Sequence, residues 1–213
     1  APGRHLRRVA VDVVRVPLSD DEEFAIGYVA LFDGESVVVG RYRKSLFKVE
    51  GEEKVQQVLT ELLNSGYRVY VYDLERVREE LHKLGLTFQA ALVSGLVQMG
   101  LVVDVKPLME GLLGASGLSL ESILAEMSPD ALARVGLAGL ESVQEVAHEL
   151  QRLRSRSPGR PPKLQGRAFE ALDEKARMLA EQSSRGIYLL GLLAESAQAV
   201  EQGAASAAGH VHK

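Results

Sequence analysis

The dipeptide Asp33-Gly34 lies between two runs rich in strand-forming residues, 24–32 and 36–42. Asp-Gly in that setting is a strong hairpin signal, because a two-residue turn favours positive φ at both positions. The run before it, residues 9–16, alternates Val9 and Val11 with smaller or polar neighbours and stops at Pro17. It reads as a first strand with Asp12 inside it. The chain is therefore expected to open as a three-stranded antiparallel meander, and any fold must accommodate a sheet begun that way.

Beyond residue 50 the chain alternates helix and strand. Val55, Val58, Leu59, Leu62 and Leu63 recur at helical spacing, and Asn64-Ser65-Gly66 supplies a stop. Residues 68–72 read as a short strand. Asp73 then opens a helix whose apolar face is Leu74, Val77, Leu81 and Leu84. Residues 86–99 read as a buried helix, 101–105 as another buried strand, 119–127 as a short capped helix, and 129–153 as helix broken near Gly136 and Gly139. This pattern predicts an α/β fold: a mixed five-stranded sheet, three antiparallel strands then parallel ones, flanked by helices. The expected division is a domain at 1–153, a basic Pro-rich linker at 154–167, a helical extension at 168–203 and a flexible tail at 204–213.

With 46% hydrophobic residues the chain can build a core, which excludes global disorder. Its net charge of −4 gives no overall basic character, so nucleic-acid binding needs a local patch. The absence of cysteine excludes disulfides, thiolate metal sites and cysteine nucleophiles, and fits a cytoplasmic protein. No apolar run is long enough to predict a membrane span, and residues 1–8 do not lead into a signal-peptide apolar region. The sequence contains neither a GxxxxGK[ST] phosphate loop nor a G-x-S-x-G serine elbow.

Four stretches carry a resemblance. VAVDVVRVP begins the chain; YRVYVYDLERVREELHKLGL has an aromatic-Asp pair opening a helix; VVDVKPLMEGLLGASGLSLESILAEM runs strand, Asp, helix, helix; LARVGLAGLESVQEVAHELQRL comes last. In this order and spacing they resemble the DEDD-type 3′–5′ exonucleases, the proofreading branch of the RNase-H-like superfamily, over roughly residues 8–153. The resemblance implies an RNase-H-like sheet and a two-metal phosphodiesterase site. Such a site clamps the attacking and leaving oxygens between two hard divalent ions, here Mg²⁺ or Mn²⁺, held by four carboxylates. A His or Tyr helps to activate the water.

Matched to that pattern, Asp12 stands at the first acid and Asp73 at the second-motif aspartate. The acid two residues after Asp12 is replaced by Val14, the third-motif aspartate by Ser142 and the activating histidine by Leu137. Two negative charges would face two ions carrying four positive ones. The resemblance thus implies a catalytically degenerate member, with Asp12 and Asp73 as remnant catalytic or metal-binding positions and Asp104 or Glu141 as substitute ligands. Three have a plainer role: Asp12 a solvated strand-end acid, Asp73 a helix N-cap, Asp104 a strand-end ion pair with Lys106; Glu141 would need a one-residue shift, which turns a helical side chain by about 100°.

The linker RLRSRSPGRPPKLQGR holds six cations, Arg152, Arg154, Arg156, Arg160, Lys163 and Arg167, and no acid. It is the expected nucleic-acid contact, or simply a soluble linker. The apolar helical segment after it is expected to pack on its own domain, or on a protein partner or a second copy. The function expected is a pseudo-nuclease acting as a nucleic-acid-associated binding or scaffolding subunit in DNA replication or repair, without cofactor. The alternatives are a metal-dependent exonuclease with a rearranged carboxylate site, and a purely structural oligomerising subunit.

Overall fold

The computed structural model describes residues 7–20, 23–51, 53–139, 141–156 and 166–211. Strand β1 (Arg8–Pro17) pairs antiparallel with β2 (Ala25–Phe32), which pairs antiparallel with β3 (Val37–Lys44). β4 (Val49–Gly51) extends the antiparallel side; β5 (Arg68–Val71) and β6 (Val102–Asp104) run parallel to β1 on the other. The order is β4-β3-β2-β1-β5-β6. The mixed α/β sheet expected from the sequence is present, with six strands among the described residues rather than five. The additional one, Val49-Glu50-Gly51, is too short to display the period-two alternation that marks a strand.

The first hairpin departs from the two-residue turn predicted for Asp33-Gly34. Phe32 pairs with Val37, so residues 33–36 form the turn, and Gly34 takes a φ of +100° while Asp33 does not take a positive φ. Asp33 Oδ1 accepts the backbone N–H groups of Glu35 and Ser36 at 2.9 and 2.8 Å, which closes the turn by a side chain. Burial pushes this carboxyl up, but those N–H donors outweigh it and hold the group below its ordinary value.

Helices α1 (Glu53–Ser65), α2 (Leu74–Lys83) and α3 (Thr87–Gln98) cover one face of the sheet. Their core gathers Val11, Val13 and Val29 from the strands with Leu59, Leu81 and Leu96 from the helices. The other face is covered by α4 (Val105–Leu113), α5 (Leu120–Ala125), α7 (Val143–Arg156) and the long α8 (Arg167–Val211), with the short α6 (Pro129–Ala133) beside them. Alternation along β1 divides its residues between the faces: Val11 and Val13 look to α1–α3, Ala10 and Asp12 to α8.

The segment expected as a helical extension, 168–203, lies within α8, a single helix of 45 residues that runs through Val211. Leu172, Ala176 and Ala180 pack with Ile26 and Tyr28; Ile187, Leu190 and Ala194 pack with Ala10 and Tyr70. Gly191 lets the two layers close up, since a Cβ there would stand 2.6 Å from the Tyr70 ring. Among the described residues no helix is long and apolar enough to cross a membrane.

Candidate functional site

Asp12 is 4% exposed in the middle of β1. A carboxylate so placed needs partners, because desolvating an ion without compensation costs several kcal/mol. It has two. Arg76 Nη2 donates to Asp12 Oδ1 at 2.6 Å, and Ser183 Oγ of α8 donates to Asp12 Oδ2 at 2.6 Å. Arg76 also donates to the backbone carbonyls of Val13 at 3.1 Å and Tyr72 at 3.2 Å. The guanidinium therefore spans β1 and the start of α2. The Asp12 charge, opposed by burial, holds the Arg76 pKa above its ordinary value.

Asp73 sits at the junction of β5 and α2 with φ 66°, the only non-glycine residue with positive φ among those described. Aspartate tolerates that region because its short side chain bonds locally. Oδ1 accepts the Arg76 N–H at 3.3 Å as an N-cap. Asp104, at the end of β6, braces the same corner: its two oxygens accept the N–H groups of Asp73 at 2.9 Å and Leu74 at 3.1 Å, and it caps α4 through Lys106 N at 3.2 Å. The Asp104–Lys106 side-chain pair expected from the sequence is replaced by a longer reach, Lys106 Nζ to Asp73 Oδ2 at 3.5 Å. Backbone donors already satisfy Asp104, so the ammonium goes to the neighbouring carboxylate.

Asp12, Asp73, Arg76, Lys106 and Ser183 line a cleft of about 510 Å³ at the C-terminal end of the parallel strands. Three cations, Arg15, Arg76 and Lys106, face four carboxylates, Asp12, Asp73, Glu80 and Glu121. Arg15 Nε bonds Glu80 at 2.6 Å, so each cation has an acidic partner within the cleft. The surface left over is not one that draws a phosphate. Tyr72 forms part of the wall and donates to the Leu118 carbonyl. Burial first, then the charges of Glu110, Glu121, Asp104 and Asp73, push its phenol up to about 12.

Compared with the models of known protein families, with curated proteins and with solved structures, the chain gives no match. Its site must be judged on its own atoms.

A pair of divalent ions does not fit these residues. Both oxygens of Asp12 are taken by Arg76 and Ser183, and Asp73 carries Lys106 and the helix cap. Val14, in the same cleft, packs with the α8 cluster and offers no lone pair. Among the described residues no three His, Asp or Glu side chains gather closely enough to hold a metal ion.

The third-motif positions lie apart. Leu137 is buried, and with Glu141 and Ser142 it lines a neighbouring pocket of about 170 Å³ that meets the cleft only at Glu121. Ser142 caps α7: its Oγ accepts the Glu145 N–H at 3.2 Å, and Glu145 Oε2 accepts the Ser142 N–H at 3.4 Å. This is a reciprocal capping box. Glu141 turns to Lys175 at 3.0 Å, away from Asp12. Of the basic residues, Arg152 pairs with Glu149 on α7, Arg154 is exposed there, and Arg167 begins α8, exposed. Arg156 closes α7, and Arg160 and Lys163 lie outside the described residues.

Sequence reasoning found Asp12 and Asp73 but missed Arg76 and Ser183. Both had a signal. Arg76 is three residues after the capping aspartate, where a helical side chain turns back over the preceding corner. Ser183 belongs to Gln182-Ser183-Ser184, a polar run that is buried inside an otherwise apolar helix face.

Proposed function

We propose that the chain is a catalytically silent relative of the DEDD-type exonucleases, retained as a nucleic-acid-associated binding or scaffolding module. One observation carries this reading: the two carboxylates at the surviving acidic positions are each bonded to a cation of the chain itself, Arg76 on Asp12 and Lys106 on Asp73. Cations built into the protein stand where catalytic metals would have to bind, and they keep a buried acid stable without any ion from solution. The antiparallel meander continued by parallel strands is the sheet arrangement that the resemblance implies, and it supports the same reading.

The test is incubation with labelled single-stranded DNA and RNA in Mg²⁺ or Mn²⁺, beside Asp12→Ala and the shape-conserving Asp12→Asn. The expected outcome is no shortening by any of the three, with salt-sensitive binding. Metal-dependent shortening by the native chain that both substitutions abolish would overturn it. A lack of salt-sensitive binding would reduce the role to a structural one.

A further inference from the structure

The cleft holds one more carboxylate than cations, so contact with a polyanion has to come from another part of the surface. At the far edge of the sheet, β3 and β4 are joined by the turn Ser45-Leu46-Phe47-Lys48, closed by Ser45 N–H donating to the Lys48 carbonyl at 2.9 Å. Phe47 is 97% exposed, Leu46 50% and Val49 38%. Tight turns are ordinarily built from Gly, Pro, Asn, Asp and Ser, and three neighbouring apolar side chains in water at a turn are a liability unless something covers them. Arg43, Lys44 and Lys48 flank them. Lysines guard short edge strands against pairing with other chains, which accounts for Lys44 and Lys48 but not for a phenyl ring held almost wholly in water.

We propose that this hairpin tip is a stacking platform for single-stranded nucleic acid, with the Phe47 ring taking a base and Arg43, Lys44 and Lys48 the flanking phosphates. This rests on the reading of the chain as nucleic-acid-associated. Charge selects the partner: an apolar tip framed by cations complements a strand that offers flat bases between anionic groups. The Lys48–Glu50 pair at 2.5 Å is exposed on both sides, and such pairs contribute little, so the ammonium exchanges readily to a phosphate. Arg43 lies over the Phe169 ring of α8, 5.2 Å from its centroid. That contact ties the base of the hairpin to α8. Because β3 runs in the same direction as β1, the tip leaves the sheet at the end where the cleft opens. A strand stacked there would lie beside the cleft.

The chain contains no tryptophan, so Phe47→Trp introduces a single reporter at an exposed position that the fold does not need. Titrating that full-length variant with a short oligo-dT is expected to quench its emission, with the effect weakening as salt rises. In parallel, fluorescence anisotropy of labelled oligo-dT should show Phe47→Ala binding about 5- to 100-fold more weakly than the native chain. Lys44→Glu with Lys48→Glu should weaken binding and flatten its salt dependence, with circular dichroism unchanged. If oligo-dT binds but neither Phe47 variant responds, the hairpin assignment fails and the nucleic-acid reading survives. If no variant or native chain binds, both fail. A blue shift on vesicles of mixed phosphatidylserine and phosphatidylcholine, without quenching by oligo-dT, would overturn the proposal in favour of a membrane surface.

Discussion

The floor and the rim of the cleft carry equivalent chemistry, an aspartate beside a cation, but hold it differently. On the floor, Asp12 is buried and locked at 2.6 Å from both Arg76 and Ser183. At the rim, Asp73 is about one-third exposed, meets Lys106 at 3.5 Å and serves chiefly as a helix cap. Water can replace the rim pair and cannot replace the floor pair. On the proposed reading, losing the catalytic metals had unequal consequences. A buried acid demanded a permanent internal counter-ion from a neighbouring helix, whereas a surface acid needed only a local structural use. Two carboxylates that a metal cluster would treat alike are, in physical terms, a core residue and a capping residue.

That contrast can be broken most forcefully at Arg76. Arg76→Ala leaves Asp12 buried and uncompensated, for which a loss of about 3 kcal/mol is expected; this is the lower end of the usual range because the guanidinium is 36% exposed. The urea midpoint falls at unchanged slope. Adding Asp12→Ala to that variant removes the orphaned charge and restores at least ~1 kcal/mol. Strictly additive losses would mean that the pair is not coupled, and the floor would be no different from the rim.

At the rim the expected effects are smaller and concern the backbone. Asp73→Ala removes the cap and puts a residue without a local bond at φ 66°, at a cost of about 2 kcal/mol. Asp73→Gly, which adopts that conformation freely, costs only a few tenths. If alanine and glycine prove equally damaging, charge rather than conformation governs the rim.

Tyr72→Phe should have the least effect at neutral pH, about 1 kcal/mol for its bond to the Leu118 carbonyl. Its signature lies in the pH profile. The folded state raises the phenol from 10.0 to about 12, so it favours the neutral form. That stabilisation is complete below pH 10 and is lost as pH climbs toward 12. The phenylalanine variant therefore lacks part of the alkaline destabilisation, while Tyr28 and Tyr70, also pushed up by burial, keep theirs. Superimposable alkaline unfolding curves would show that Tyr72 titrates normally.

Much of the architecture was legible because its signals are local. Val9 and Val11 around Asp12, the Leu74-Val77-Leu81 stripe and the Ser119 cap each state their own secondary structure. Val49–Gly51 was not legible, since a three-residue edge strand is defined by its neighbour β3 and not by any pattern of its own. The site was half legible for a related reason. Asp12 and Asp73 advertise themselves by being acidic in apolar surroundings, but their partners come from a helix face and from a segment distant in sequence. Lys106 was assigned to the nearer Asp104, because sequence proximity does not reveal that backbone N–H groups have already claimed that carboxylate.

The bond from Ser183 to Asp12 joins residues 171 positions apart. Strand β1 is made well before α8, and its central carboxylate has to wait for that helix before its second oxygen is satisfied and its face of the sheet is covered. Contacts of such sequence separation are slow to form, because the intervening chain must be ordered first. Until α8 docks, the open face exposes Ile26, Tyr28 and Tyr70, the kind of surface on which partly synthesised chains associate. Helix α8 is thus a kinetic latch: the sheet remains provisional until that helix has been made and has docked.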